Sequence, residues 1–178
     1  MKDLYNKLRN ELENNLAFLD DKPEETIDST LQALWHKAAG RSVSAKMASK
    51  FNLPSLSENQ AIALQHSVKQ RLGGKPLTHI TERQNFMGIE FISDRRALIP
   101  RAETEILTNA ALQICIEILR TQKMVRIFDV CCGSGNVGLS LAKLLDNVFV
   151  YFSDLSEEAV DLTQENIKFL NLHDKVKA

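Results

Sequence analysis

The run Ile127-Phe128-Asp129-Val130-Cys131-Cys132-Gly133-Ser134-Gly135-Asn136-Val137-Gly138 constrains this chain more than any other stretch. An apolar segment ends in a carboxylate, a glycine-bearing turn follows, and a helix-forming segment begins. A second apolar run, Val148-Phe149-Val150-Tyr151-Phe152, then ends in Ser153-Asp154. That places a second acid about twenty residues past the glycine turn, the order of a βαβ cofactor fold whose ligands sit at the C-terminal ends of parallel strands. The pattern predicts a helix from about Thr104 to Arg120, with Ile106, Leu107, Ala110, Ile114 and Ile118 on its buried face. Strands over Val125–Val130 and Val148–Ser153 should alternate with helices over Asn136–Leu145 and Glu157–Leu170, the last capped by Ser156.

The glycines leave the cofactor class open. Gly133-Ser134-Gly135-Asn136-Val137-Gly138 matches the dinucleotide pattern G-x-G-x-x-G, and Asp154 stands where that fold holds ribose hydroxyls. Asp129 separates the alternatives. A pyrophosphate seated on the loop and helix N-terminus would be repelled by a neighbouring carboxylate, whereas S-adenosylmethionine (SAM) carries a sulfonium and an ammonium and no phosphate. Acid, turn glycines and second acid are therefore similar to the SAM-binding half of a class I methyltransferase, whose first motif usually reads D-x-G-x-G-x-G. Cys131 replaces the first of those glycines, a change the loop tolerates provided that residue needs no positive φ.

Upstream, the pattern is helical. Leu4, Leu8, Leu12, Leu16 and Leu19 recur at three- to four-residue spacing. A second helix is expected after Asp21, with Pro23 in its first turn and Ile27, Leu31, Leu34 and Trp35 inward, stopped by Gly40. A short segment through Val43, Met47 and Ala48 follows, and Ser57 with Gln60 forms a capping box for a helix ended by Gly73-Gly74. Between Lys75 and Pro100, short alternating segments around Leu77–Ile80 and Met87–Ile92 predict a β-hairpin. The expected fold class is α/β: a helical domain over 1–74, a hairpin linker over 75–100, and the first part of a Rossmann-like SAM domain over 101–178.

Composition narrows the class further. With 44% hydrophobic residues, a formal charge of −1 and no long uninterrupted apolar run, the chain reads as a soluble, cytoplasmic protein without a membrane partner. Its three cysteines, Cys115, Cys131 and Cys132, make no C-x-x-C pair and its four histidines no ligand spacing, so no metal site is expected and Cys131 and Cys132 read as small buried residues. Bases gather in the middle at Lys69, Arg71, Lys75, Arg83, Arg95, Arg96 and Arg101, which is compatible with a nucleic-acid patch or with a scattered solvated face.

Two segments make a family resemblance specific. Arg71 to Gly88, reading R-L-G-G-K-P-L-T-H-I-T-E-R-Q-N-F-M-G, and Leu98 to Glu105, reading L-I-P-R-A-E-T-E, closely resemble the domain-linking region of the HemK/PrmC family. Ala102 departs from it, since the family usually carries a second proline there. The resemblance implies a helical domain that docks substrate, a hairpin linker and a class I methyltransferase domain. It also implies methylation of a glutamine side-chain amide in the Gly-Gly-Gln motif of peptide chain release factors or in a ribosomal protein. By position it implies that Cys131, Cys132, Gly133, Ser134 and Gly135 line SAM and that Asp129 supports the loop. Asp154 would accept from the ribose hydroxyls, with Pro100, Arg101 and Thr104 beside the cofactor. The family's catalytic N-P-P-Y string follows a later strand and occurs nowhere in these 178 residues, so no catalytic residue is assigned. The expectation is a truncated piece of a larger methyltransferase. Methylation of nucleic-acid amino groups, and a non-catalytic partner-binding module, are the competing readings.

Overall fold

The computed structural model describes residues 2–17 and 22–178. Leu19 of the first leucine series, and the Asp21 start of the second helix, lie outside the described residues. The chain divides into two compact units, Met1–Asn85 and Phe86–Ala178.

The first unit is helical. It contains α1 (Lys2–Asn15), α2 (Ile27–Ala38), α3 (Ala45–Ala48), α4 (Glu58–Leu72) and α5 (Leu77–Thr81). Leu8 and Leu12 of α1, Leu31, Leu34 and Trp35 of α2, and Leu64 and Val68 of α4 are almost fully buried and form its core. The start of α2 differs from expectation. Thr26 is the N-cap, in a capping box with Ser29, so Pro23 lies in the turn ahead of the helix. Ser57 and Gln60 form the expected box on α4, and Gly73 is its C-cap. Leu77–Thr81 is a helix instead of the expected hairpin arm, entered from Pro76 and closed by Glu82 in the left-handed region. Four residues of apolar alternation do not distinguish a strand from one helical turn, and Pro76 supplies a helix start. The hairpin strands are instead β1 (Arg83–Phe86) and β2 (Ile89–Ile92).

The second unit follows the predicted alternation: α6 (Ala102–Leu119), β3 (Val125–Val130), α7 (Asn136–Leu144), β4 (Val148–Ser153), α8 (Glu157–Leu170) and the short β5 (Val176–Lys177). Strands β3, β4 and β5 make a parallel sheet in that order, with Asp129 opposite Phe152 and Val150 opposite Val176. This is a mixed α/β, Rossmann-like arrangement. Phe86 is buried against Phe91 edge to face, so it anchors the hairpin end in this core. Two lysines close helix ends: Lys143 of α7 donates to the Leu170 carbonyl of α8, and Lys175, past the end of α8, donates to the Ala142 and Leu145 carbonyls at the end of α7.

The expected buried face of α6 is wrong. Ile106 is 71% exposed, Leu107, Ala110, Ile114 and Ile118 are exposed as well, and the helix buries Thr108 and Cys115 instead. Apolar residues occur on nearly every side of α6, so spacing alone cannot choose the inward face. On β3, Phe128 and Val130 are 70% and 68% exposed, and Phe128 stacks on Tyr151 of β4 at 5.0 Å. Among the described residues, β3 lies at the edge of the sheet and its outer apolar face is uncovered.

Candidate functional site

The glycine loop lies where β3 hands over to α7, and local chemistry explains its shape. Gly135 is the N-cap of α7 with φ +78° and has no side chain to satisfy the first helical amides. Asp129, near the end of β3, supplies the missing acceptor: its Oδ2 takes the Gly138 N–H at 2.9 Å, the third residue of the helix. A strand carboxylate thus performs the job of an N-cap and neutralises the positive end of the helix dipole.

Three further contacts fix the loop. Gly135 donates to the Cys132 carbonyl at 2.8 Å, closing the turn, and Cys132 donates to the Ser153 carbonyl at 3.1 Å, tying the turn to β4. Asp154, just past β4, accepts from Gly133 N–H through Oδ2 at 2.9 Å and from Ser156 N–H through Oδ1 at 3.0 Å. The Ser134 hydroxyl donates to the side-chain oxygen of Asn136, and both residues are buried.

The two carboxylates differ in character. Burial pushes the Asp129 carboxyl above its ordinary range; the Gly138 N–H opposes this, and nearby Asp154 adds to it. The N–H groups of Ser156 and Gly133 hold Asp154 below its ordinary range, so it remains an anion with lone pairs to spare.

Glycine is needed at two positions for different reasons. A Cβ on Gly135 would stand 2.9 Å from Leu139 Cδ1 and 3.0 Å from Thr163 Cγ2, at a φ that already disfavours side chains. A Cβ on Gly138 would stand 2.4 Å from the Phe152 ring, so its absence lets α7 lie directly on β4.

Cys131 departs from expectation in two ways. It is exposed, and its φ is +59°, so the position does require the left-handed conformation a glycine would supply. Cys132 is buried as expected, its thiol 3.6 Å from the Thr163 hydroxyl and its pKa pushed up by burial. Cys131→Gly should therefore stabilise the unit by about 0.5–1 kcal/mol, the left-handed penalty offset in part by glycine's added freedom when unfolded. Chemical denaturation measures it, and an unchanged or lower midpoint would show that the backbone at Cys131 carries no such penalty.

Of the residues picked from sequence, Asp129, Cys131–Gly135 and Asp154 are brought together by this bonding. Pro100, Arg101 and Thr104 sit at the entry to α6, with Arg101 its N-cap. From that side, the Ala97 Cβ lies 3.8 Å from where a Gly133 Cβ would stand. The last acid of the L-I-P-R-A-E-T-E segment has a distinct task. Glu105 accepts the N–H of Met87, whose φ of +52° precedes Gly88 at +78° in the hairpin turn. Among the described residues, Arg71 is ion-paired with the partly buried Glu25, and Arg96 with Asp94 and Glu165. Sequence reading missed Thr163 and Asn166 of α8, which reach the loop carbonyls of Gly133 and Ser134. The available signal was two polar residues three apart on the stripe Ala159, Leu162, Ile167 and Leu170, which is otherwise apolar.

Residues 107–178 match the family described as "Methyltransferase small domain". Curated relatives named release factor glutamine methyltransferase align as well. That of Clostridium acetobutylicum is 40% identical over 110 residues, 62% of this chain and 37% of the relative. Those of Dictyoglomus turgidum and Borreliella burgdorferi are 30% identical over 127 residues and 40% identical over 99. The first covers 71% of this chain and 44% of the relative, the second 56% and 33%. Over the stretch shared with them, these similarities support the resemblance to the HemK/PrmC family read from the sequence. The aligned stretches span about one third to just over two fifths of those relatives' length. No helix among the described residues is long and apolar enough to cross a membrane.

Proposed function

We propose that this chain carries the SAM-binding part of a cytoplasmic protein-glutamine N-methyltransferase acting on peptide chain release factors. The observation that carries the cofactor choice is the Asp129 carboxylate on the N-terminus of α7. In a dinucleotide site that helix end receives the pyrophosphate; here a protein carboxylate already satisfies it, and a second anion would meet repulsion. The donor set suits a nucleoside that brings positive charge and vicinal hydroxyls. Asp154 would take the ribose hydroxyls with the lone pairs its two backbone bonds leave over. Cys131 to Gly135 would line the ligand through their backbone, Asp129 would favour its cationic end, and Pro100, Arg101 and Thr104 would flank it from the start of α6.

When bound, SAM supplies an electrophilic methyl group on sulfur. The residues of this chain would bind and orient it, and none of them is assigned a role in activating the amide nitrogen. Release factor as the substrate rests on what the relatives are named, and the helical domain expected over 1–74 would be the docking part. Two of the bases that raised the nucleic-acid alternative, Arg71 and Arg96, are engaged in ion pairs within the protein, which weakens that alternative.

Calorimetric titration of the 178-residue chain with SAM and, separately, with NAD tests this reading. SAM should bind and NAD should not. Binding of NAD, or of neither, would overturn the assignment of the loop.

A further inference from the structure

Helix α8 carries two fully buried polar side chains, Thr163 and Asn166, one turn apart on its inner stripe. A buried polar group is costly unless paired, and both are paired to the glycine loop. The Thr163 hydroxyl donates to the Gly133 carbonyl at 2.9 Å. The Asn166 amide nitrogen donates to the Ser134 carbonyl at 3.0 Å and to the Ile92 carbonyl at 3.0 Å, while its oxygen accepts the Ile92 N–H at 2.7 Å. Asn166 therefore takes both backbone groups of the last residue of β2 and one loop carbonyl.

Two successive loop carbonyls are thus turned toward α8. In a trans peptide the N–H of the next residue points opposite to the carbonyl, and no cis peptide occurs here. Drawing the Gly133 carbonyl to Thr163 turns the Ser134 N–H to the side away from α8. Drawing the Ser134 carbonyl to Asn166 fixes the following plane, whose N–H closes the turn on Cys132. Helix packing alone would place the loop near α8 without choosing which way these peptide planes face.

We propose that Thr163 and Asn166 are positioning residues for cofactor binding, orienting the Gly133–Gly135 peptide planes from behind and, through Asn166, tying them to the end of β2. This rests on the SAM reading of the loop. It extends that reading to two residues that do not themselves line the ligand side.

The test uses the full 178-residue chain with Thr163→Val, Thr163→Ser, Asn166→Asp and, as a packing control on the same helix, Ile167→Val. Each is titrated with SAM well below its unfolding midpoint, and each midpoint is measured. Thr163→Val, which keeps shape and loses the donor, should weaken SAM binding roughly ten-fold while remaining folded. Thr163→Ser should restore binding to within about two-fold, since it keeps the hydroxyl. Asn166→Asp sets an acceptor against two carbonyls and should weaken binding at least as much. Ile167→Val should lower the midpoint and leave affinity unchanged. If Thr163→Val binds SAM like wild type, or if affinity follows the midpoint across all variants including Ile167→Val, the two residues are structural only and the inference falls. Should Asn166→Asp not fold, the valine and serine pair decides alone. Failure of the wild-type chain to bind SAM would instead overturn the site reading, and this inference with it.

Discussion

Gly138→Ala should destabilise the second unit more than any other single methyl addition to the loop. The new Cβ would stand 2.4 and 2.8 Å from two atoms of the Phe152 ring and 2.8 Å from Val150 Cγ1. Neither neighbour can yield easily: Val150 is fully buried and stiff at χ1, and the Phe152 ring is packed beneath α7. Relief requires lifting α7 off β4, which also lengthens the bond between Gly138 N–H and Asp129. Overpacking of this kind costs about 1–3 kcal/mol, and the upper end applies where three contacts are violated together. For a unit of about 90 residues that corresponds to a fall of roughly 10 °C or more in the unfolding midpoint. Calorimetry checks it, and a midpoint within 2 °C of wild type would mean that α7 does not press on β4 as closely as described. Because the helix N-terminus would shift with it, SAM affinity should fall in the same variant.

The third glycine also shows what sequence can and cannot disclose. Strand, turn and helix at 125–144 were legible because three independent local signals agree there: a β-branched apolar run, a glycine turn and a helix-forming run. Asp129 was legible as an acid near the end of the strand. Its bond to Gly138 was not, because that needs the strand end and the third helical residue brought back together. Cys131 shows the converse. The family pattern marked the position as a glycine, but only the backbone reveals that φ is +59° and that the cysteine sits there at a cost. The inward face of α6 failed for a different reason. With apolar residues on nearly every side, the 3.6-residue period selects no face, and the outcome depends on which face its neighbours contact. Thr163 and Asn166 went unread because Thr and Asn within a helix are usually taken for exposed positions, and their partners are backbone carbonyls some thirty residues away.

Asp154→Asn should have the largest effect on ligand binding. In the wild type each carboxylate oxygen already accepts one backbone N–H, from Gly133 and from Ser156, which leaves one lone pair on each for a ligand. An amide keeps one acceptor and turns two donors toward the other. Whichever way it is flipped, its NH2 confronts a backbone N–H or, in the proposed SAM complex, a ribose hydroxyl that can no longer donate there. Hydrogen bonds to a charged group contribute about 1.5–3 kcal/mol each, so losing one ligand bond alone weakens SAM binding by roughly 10- to 150-fold. The carboxylate lies below its usual pKa because of those backbone donors, so the folded state gains stability from its ionised form. That gain is present above the unfolded pKa and is lost as pH falls through the lower, folded one, and Asp154→Asn should flatten that part of the acid limb. Two measurements then separate its roles: titration with SAM at neutral pH reads the proposed ribose contact, and the acid unfolding profile without ligand reads the loop. A variant that binds SAM like wild type yet loses acid-dependent stability would leave Asp154 as a loop brace and remove it from the ligand side of the site.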